Sequence, residues 1–318
     1  MSGGPVWSEA AGASDCDVIG LGQCSLDHVL EVDGMPPFGG KERALGYARL
    51  PGGQIATALL ACSRLGLRTA FVGSVGDDVA APEVLDPLRS EGVDVTGVRV
   101  VAGATSQQAV ILVDRKTGER TVLWHRDPRL ALEPGSVPLA RFARARALLL
   151  DAGDPELATE AAGAARAAGR PVVLDADTPT PGIDRLLRAA DFPVVSREFA
   201  IGRFGSPEAA ARALAEQGAR LPVVTLGVRG AVGWWQGKAL ASPAFAVDAR
   251  DTTGAGDVFH AAFTAGLLDG CDAPELLRFA NASAALACCG FGAQGGLPTR
   301  SEIAAFLAEA RPVVRPAF

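Results

Sequence analysis

The sequence predicts an α/β fold with a central, mostly parallel β-sheet flanked by helices on both faces, plus a small separate β-sheet. Beyond Pro138, short apolar runs alternate with segments of helical periodicity, which is typical of βα units. Before residue 127, strand-like segments alternate apolar and polar residues, as half-exposed strands do. Together the two patterns predict one large α/β domain that carries a small β-layer.

The first half of the chain contains two kinds of element. Its predicted elements are a strand at 16–20, an alternating segment at 27–32, a helix at 54–65, a strand at 68–72, a helix at 80–91, and strands at 107–113 and 120–125. Gly66 and Gly92 end the two helices. The last two strands flank the turn-like stretch DRKTGE, which predicts a β-hairpin. We expect residues of about 27–50 and 103–127 to form a β-lid.

The second half alternates regularly between strands and helices. Its predicted strands are 147–150, 171–174, 192–195, 221–226 and 231–235, and its predicted helices are 155–168, 183–190, 206–217, 256–268, 273–288 and 301–310. Such a parallel sheet has both faces covered by helices. We expect the small sheet to lie over the carboxyl edge of the main sheet, where open α/β folds bind ligands.

Composition excludes several classes of protein. The 318 residues are 48% hydrophobic and 21% charged, which indicates a globular protein with a sizeable core. The net charge of −6 argues against nucleic acid as a partner. No apolar run approaches the roughly 20 residues that span a membrane, so we expect no membrane association. The six cysteines form no CxxC pair, which favours reduced thiols and a cytoplasmic location.

The chain's first 14 residues differ from the rest. They have neither the basic start nor the apolar centre of a signal peptide, so we expect a disordered tail. Residues 15–318 are expected to form the α/β domain.

The segment 247–265 carries most of the chemistry. Its small residues Gly254, Ala255 and Gly256 precede an apolar helix that begins near Asp257, and they predict amides converging on one space. Amides at a helix N-terminus bind anions, and a carboxylate beside them can accept a proton from an attacking hydroxyl. A glycine-rich turn in which Asp257 merely stabilises the helix start is the alternative. The turn alone leaves both interpretations open.

Four motifs in order carry a family resemblance. DTTGAGDVFHAAF is similar, position by position, to the second signature of the ribokinase-like (PfkB) carbohydrate kinases. LPGGQIATALLACSRLG resembles the family's first signature, and VVTLGVRGAV resembles the strand and turn beside the nucleotide. RFANASAALACCGFGAQGGLP resembles the helix and loop near the adenine. The chain is thus identified as a member of that family, with a ribokinase-like fold.

The resemblance implies an ATP-dependent sugar kinase with Asp257 as the catalytic base and an anion hole at Gly254, Ala255 and Gly256. ATP and Mg²⁺ are the implied cofactors, and the matching of Asp251 and Thr253 implies a monovalent cation such as K⁺ near the anion hole. The implied nucleotide-binding residues are Thr225, Gly227, Val228, Gly230, Thr253, Asn281 and Gly292. A homodimer through the lid is a further implication.

On the acceptor side, the resemblance implies that Asp27 binds sugar hydroxyls. A carboxylate can accept hydrogen bonds from two neighbouring hydroxyls, which suits a polyol. The expected acceptor-binding residues are Asp27, Gly52, Gly53, Gln54, Thr57 and Lys41.

Three departures from the family pattern bear on the acceptor. Gln54, Thr57 and Ser25 replace the lysine and two asparagines expected in ribokinases, which argues against ribose. The segment 196–199 lacks the Asn-x-x-Glu motif of many members, as ketohexokinase- and sulfofructose-kinase-type members do, and these resemble the chain most. Gly153 stands where a sulfonate-binding arginine is expected, which favours a plain ketose.

Other functions stay open at this point. Within the family they are a ribokinase, a sulfofructose or 2-keto-3-deoxygluconate kinase, and a nucleoside kinase. From a different class comes a catalytically silent sensor of sugars or nucleotides on the same fold. The intact Asp257 and its glycine-rich turn argue against a silent sensor.

Overall fold

The main sheet consists mostly of parallel strands in the structure, a computed structural model that describes residues 4–7 and 14–313. Its described strands are β1 (Cys16–Leu21), β4 (Thr69–Gly76), β5 (Asp94–Val101), β8 (Ala145–Leu150), β9 (Val172–Ala176), β10 (Phe192–Ser196), β11 (Val223–Thr225), β12 (Ala231–Trp235) and β13 (Lys238–Ser242). They lie in the order β13-β12-β11-β10-β9-β8-β1-β4-β5, and β12 runs antiparallel to both its neighbours. The predicted α/β architecture is confirmed.

Helices cover both faces of this sheet, as predicted. The described helices are α1 (Gln54–Arg64), α2 (Ala80–Ser90), α3 (Ala140–Ala143), α4 (Pro155–Ala167), α5 (Ile183–Ala189), α6 (Arg197–Phe204), α7 (Pro207–Glu216), α8 (Ala255–Leu268), α9 (Ala273–Ala287) and α10 (Arg300–Glu309). One apolar core joins α1, α2, α8, α9 and α10 to the sheet, and a second joins α3 to α7 to its opposite face. The two cores fix both layers against the strands.

A second, smaller sheet lies apart from the main one, as predicted. Its described strands are β2 (Ser25–Val32), β3 (Gly46–Gly52), β6 (Gln108–Asp114) and β7 (Arg120–His125), in the order β3-β2-β6-β7. The predicted hairpin is the antiparallel pair of β6 and β7. Val29, Ala109, Ile111 and Val113 form its own small core. We call these four strands the lid sheet.

Some elements differ from the sequence prediction. Strands β3, β5 and β13 and helix α6 were not expected at these positions. The segment of β3, GYARLPG, contains proline and terminal glycines, which weaken local strand signals. It is extended because it pairs with β2 along its whole length. Pairing across the sheet therefore overrides local propensity here.

Residues 4–7, part of the predicted disordered tail, have a defined position. The Val6 amide donates to the Cys271 carbonyl oxygen at 3.1 Å. The Trp7 ring packs edge-on against Phe192, with ring centroids 6.1 Å apart, and the Arg220 guanidinium lies 4.5 Å from the Trp7 ring centroid. Burial of these apolar side chains accounts for the order. Residues 1–3 and 8–13 of that predicted tail lie outside the described residues.

The connections place the lid sheet near the carboxyl edge of the parallel strands. The chain leaves the main sheet after β1 to form β2 and β3, and leaves it again after β5 to form β6 and β7. Strand β1 lies between β4 and β8, where the order of the strands reverses direction. Open α/β sheets bind ligands outside such a reversal. In the described part of the chain, no helix has the length and apolar character needed to cross a membrane.

Candidate active site

The turn before α8 has a left-handed conformation that glycine adopts without strain. Gly254 has φ 79°, and a Cβ there would lie 2.5 Å from the Ala293 carbonyl oxygen. Asp251 fastens the turn, because its Oδ1 accepts from the Thr253 amide at 2.8 Å and the Thr253 hydroxyl at 2.6 Å. Its Oδ2 accepts from the Gly292 amide at 2.8 Å. Asp251 and Thr253, predicted near a monovalent cation, thus hold the turn in shape.

Several amides at the start of α8 are available to an anion. Among the described residues, the amides of Gly254, Gly256 and Asp257 make no hydrogen bond to a backbone carbonyl. The Ala255 amide donates to the Thr252 carbonyl oxygen at 3.3 Å. A Cβ on Gly256 would meet no atom within 4 Å, so open space adjoins this turn. Free amides and the helix dipole together form an anion-binding site.

Asp257 lies half-buried in the first turn of α8, beside these amides. Burial raises the pKa of Asp257 well above its usual range, and the negative charge of Asp175 raises it further, while Arg120 opposes the change. A carboxylate with a raised pKa accepts a proton more readily from an alcohol. The structure therefore joins a proton acceptor to an anion-binding turn.

A buried polar network lies behind Asp257. Asp175, at the end of β9, has its Oδ1 3.5 Å from His260 Nε2, and the Gln54 side chain hydrogen-bonds to Asp175. Gln23 Nε2 donates to Gln54 Oε1 at 3.3 Å. Burial raises the pKa of Asp175 to about 6, and His260 opposes this rise. Gln54, predicted as an acceptor-binding residue, is thereby connected to the first turn of α8, which carries Asp257.

Asp27 lies on the side of the site that the lid sheet forms. Ser25 Oγ donates to Asp27 Oδ1 at 2.7 Å, and a side chain at Gly52 would collide with Asp27 Oδ2. Gly53 has φ 94°, and a Cβ there would collide with the Cys24 backbone. Close packing within the protein thus requires glycine at both positions, while their role near the sugar stays a prediction. Burial raises the pKa of Asp27 to about 6.

The two remaining predicted acceptor-binding residues are Thr57, one turn after Gln54 on α1, and Lys41, in a loop. Thr57 is fully buried on α1, and its hydroxyl accepts from Gln294 Nε2 at 3.4 Å. Lys41 is exposed in the loop that joins the end of β2 to β3, whereas Asp27 lies near the start of β2. In the part of the chain that the structure describes, no hydrogen bond or ion pair joins Lys41 to Asp27, and the role of Lys41 at the acceptor stays a prediction.

The predicted nucleotide side contains two glycine-dependent turns. Gly230 has φ 92°, and a Cβ there would collide with the Ser242 carbonyl oxygen. Asn281 is buried, and its amide nitrogen donates to Ser242 Oγ at 2.9 Å. Asn281 thus stabilises the segment against which this turn packs.

Next to Gly227, which has φ 58°, Val228 is 66% exposed and offers an apolar surface. Thr225 ends β11 immediately before that turn.

The second glycine-dependent turn, at Gly292, connects the predicted nucleotide side to the lid sheet. Gly292 has φ 75°, and a Cβ there would collide with the Leu50 side chain of β3. The loop around Gly292 therefore packs closely under the lid sheet and, through Asp251, against the turn before α8.

The segment that replaces the Asn-x-x-Glu motif caps a helix. Ser196 Oγ accepts from the Phe199 amide at 3.1 Å, which makes Ser196 the N-cap of α6. The Glu198 side chain is 78% exposed and lies 3.8 Å from Arg197. Within the described residues, no group of three or more His, Cys, Asp or Glu side chains is arranged to hold a metal ion.

Sequence reasoning missed two charged residues of the site, Arg120 and Asp175. Arg120 comes from β7 of the lid sheet, and its Nη1 donates to Thr252 Oγ1 at 3.0 Å, just before the anion-binding turn. The signals present were the GER of the predicted hairpin and the DAD that follows a predicted strand. Neither signal indicates a site until the strands are assembled.

Comparison with known proteins agrees with this geometry. The family model for the PfkB family carbohydrate kinases matches residues 16–300. The chain is 31% identical over 287 residues to a ribokinase of Bacillus subtilis (89% of this chain, 96% of that one). It is 29% identical over 323 residues to a probable fructokinase-3 of Arabidopsis thaliana (91% of each).

The same fold occurs in a solved relative. The structure of Arabidopsis thaliana ribokinase complexed with ribose and ATP superposes with a TM-score of 0.75 at 26% identity, covering 93% of this chain and 99% of that one. ATP use is consistent with that complex. Because the family model matches residues 16–300 and a ribokinase is 31% identical, the chain belongs to the PfkB family of carbohydrate kinases.

Proposed function

We propose that this kinase transfers the γ-phosphate of ATP to a hydroxymethyl group of a small ketose, as a fructokinase or ketohexokinase does. One observation carries the proposal: Asp257, with its raised pKa, lies beside free helix amides and within electrostatic range of Asp27. In this proposal, Asp257 is the base, the free amides are the anion site, and Asp27 is the carboxylate that binds sugar hydroxyls, all around one space.

The residues suggest the following reaction. Asp257 takes the proton of the sugar hydroxyl, and the oxygen attacks the γ-phosphorus while the bond to the ADP oxygen breaks. The amides of Gly254 and Gly256 and the Arg120 guanidinium stabilise the charge that spreads over the transferring group. The products are a sugar phosphate, ADP and the proton held by Asp257.

The cofactor ions belong to the proposal as well. Mg²⁺ bound to ATP would offset the excess negative charge around Asp257, and the carboxylate of Asp177 is an oxygen donor of the kind it prefers. K⁺ is proposed beside Asp251 and Thr253. Both Asp251 oxygens already accept hydrogen bonds, so carbonyl oxygens of the turn would supply most of its ligands.

We also propose a homodimer in which the outer faces of two lid sheets meet. Tyr47, Val110 and Leu123 expose 60%, 41% and 65% of their surface, and the strand register places them on one side of the sheet. A second copy would bury these apolar side chains.

The free state of all six cysteines supports a reducing cytoplasm as the proposed location.

The test is a turnover screen with Mg-ATP over fructose, tagatose, ribose, 2-keto-3-deoxygluconate, sulfofructose and nucleosides. We expect fructose or another plain ketose to give the highest kcat/KM. Asp257→Asn should bind ATP normally and lose roughly 10²- to 10⁴-fold in turnover. Near-normal turnover by that variant would refute the assignment of the base, and a preferred nucleoside would refute the acceptor class.

A further inference from the structure

Gln107 is a buried glutamine that immediately precedes β6 of the lid sheet, and it has no role so far. Its carbonyl oxygen accepts from the Leu26 amide at 2.9 Å, which places it beside the start of β2. The register of β2 with β6 pairs Asp27 with Ala109. Side chains two residues apart share a face of an extended segment, so Gln107 lies on the same face as Ala109 and Asp27. Burial alternates accordingly, since Gln107 and Ala109 are buried and Val110 is exposed.

The side chain of Gln107 has an unmet hydrogen bond. The residue is only 7% exposed, and its Oε1 is buried without any hydrogen-bond partner. Leaving such a group unpaired costs about 1–3 kcal/mol, so buried polar atoms in native proteins almost always have partners. Neighbouring Ser106 follows that rule, because its hydroxyl donates to Asp78 Oδ1 at 2.6 Å. An unpaired amide oxygen near Asp27 points to a hydrogen-bond donor that is supplied from outside the chain.

The charges around Gln107 indicate whether that partner is charged or neutral. Arg126, close to Cys24 at the start of the lid sheet, already donates to Asp154 Oδ1 and Oδ2 and to the carbonyl oxygens of Gly153 and Leu130. Its guanidinium is therefore occupied within the protein. An anionic acceptor would be repelled by the Asp27 carboxylate. Arg126 would not offset this repulsion, because its charge is already neutralised by Asp154.

We propose that Gln107 is an acceptor-binding residue whose amide holds a hydroxyl of an uncharged polyol next to Asp27. The inference rests on the proposed sugar kinase and deepens it by naming the substrate class. A hydroxyl both donates and accepts, so it pairs with an amide, and a neighbouring hydroxyl pairs with the carboxylate. For a sulfonated or carboxylated sugar, Arg126 is not a free counter-charge, because its guanidinium is already paired with Asp154.

Gln107→Met tests this role, and Gln108→Met is its matched control. Gln108 is the adjacent glutamine, on the opposite face, where its Oε1 lies 3.2 Å from His28 Nε2. We expect Gln107→Met to raise the KM for the ketose about tenfold or more and to leave the KM for ATP unchanged. Its Tm should stay equal or rise, because an unpaired buried amide is replaced by an apolar group of similar shape. Gln108→Met should leave both KM values unchanged.

The outcomes separate the alternatives. An unchanged ketose KM, or a lower Tm with unchanged KM, would give Gln107 a structural role and overturn the inference. A wild-type preference for sulfofructose or 2-keto-3-deoxygluconate over fructose would overturn the uncharged class. Sugar binding is also measured by thermal shift with a non-hydrolysable ATP analogue. If polyols bind without turnover, the proposed function fails, and the shift in Gln107→Met still decides the inference; if no polyol binds, the inference fails.

Discussion

His260 and Asp175 form a buried pair that joins the first turn of α8 to the end of β9, with Nε2 3.5 Å from Oδ1. The other ring nitrogen lies 2.7 Å from the Gly256 carbonyl oxygen, and Nε2 also lies 3.2 Å from the Val194 carbonyl oxygen. Both ring nitrogens of His260 thus face oxygen atoms, which hold the imidazole between the two elements. The pair therefore couples the geometry of the anion-binding turn to the charge near Asp257.

The negative charge of Asp175 should determine the pH at which kcat/KM falls on the acid side of the pH profile. In the proposed mechanism the ionised form of Asp257 is the active base, so kcat/KM should fall as the pH drops through the raised pKa of Asp257. Asp175→Asn removes a like charge, so the pKa of Asp257 falls and the acid limb moves to lower pH. Asp177→Asn should move it in the same direction by a smaller amount. Profiles of kcat/KM against pH check this, and a reversed order or no movement would contradict it.

Arg120 should act in the opposite direction. Its positive charge lowers the pKa of Asp257, so Arg120→Gln should move the acid limb to higher pH. The change also removes donors near the transferring phosphoryl group, for which we expect a loss in kcat on the order of 10²-fold. Arg115→Gln, in the same hairpin but paired with Glu31 at 4.0 Å, is the control and should retain activity. Equal kinetics in the two variants would exclude a catalytic role for Arg120.

Local motifs account for the part of the site that the sequence predicted. Asp257 and Gly254 lie in one short segment, where glycine and helix-start signals act over a few residues. Asp27 comes a few residues after the first predicted strand, and the family resemblance implied its role at the sugar. Such features need no knowledge of which strands are neighbours.

The residues that escaped prediction depend on contacts that are distant in sequence. Arg120 reaches Thr252 across 132 positions of sequence, and Asp175 of β9 pairs with His260 of α8. The same holds for β3, whose extended form depends on pairing with β2. Lys41 was also predicted at the acceptor, and it lies in the loop between β2 and β3, whose path local sequence signals do not determine.

The two glycines around Ala255 should respond differently to substitution. Gly254→Ala forces a side chain into φ 79° and against Ala293, so it should lower the free energy of unfolding by more than about 1 kcal/mol. Gly256→Ala has open space and lies in the helix, so stability should stay equal or rise by roughly 0.5–1 kcal/mol. Its methyl group enters the space of the phosphoryl group, and kcat should fall. Denaturant unfolding and kcat together check the pair; full activity in Gly256→Ala would place the phosphoryl group elsewhere.

The ion pair of Arg126 with Asp154 should anchor the end of the lid sheet. Arg126 follows β7 directly, and its Nη2 lies 2.7 Å from Asp154 Oδ2, with the two side chains only 14% and 4% exposed. Asp154→Asn leaves a buried guanidinium without its counter-charge, which costs about 3–5 kcal/mol. The exposed pair Arg212 and Glu216 is the control, because Glu216→Gln should cost under about 0.5 kcal/mol.

A second variant separates charge burial from anchoring of the lid sheet. Replacing both partners, Arg126→Met with Asp154→Leu, removes the unpaired charge, so the free energy of unfolding should recover most of the loss. The hydrogen bonds of Arg126 to the carbonyl oxygens of Gly153 and Leu130 stay absent in that variant. If they fix the lid sheet to the main sheet, the KM for the sugar stays raised while stability returns. Recovery of both quantities would mean that the pair serves stability alone, because closure of the lid sheet would then not depend on it.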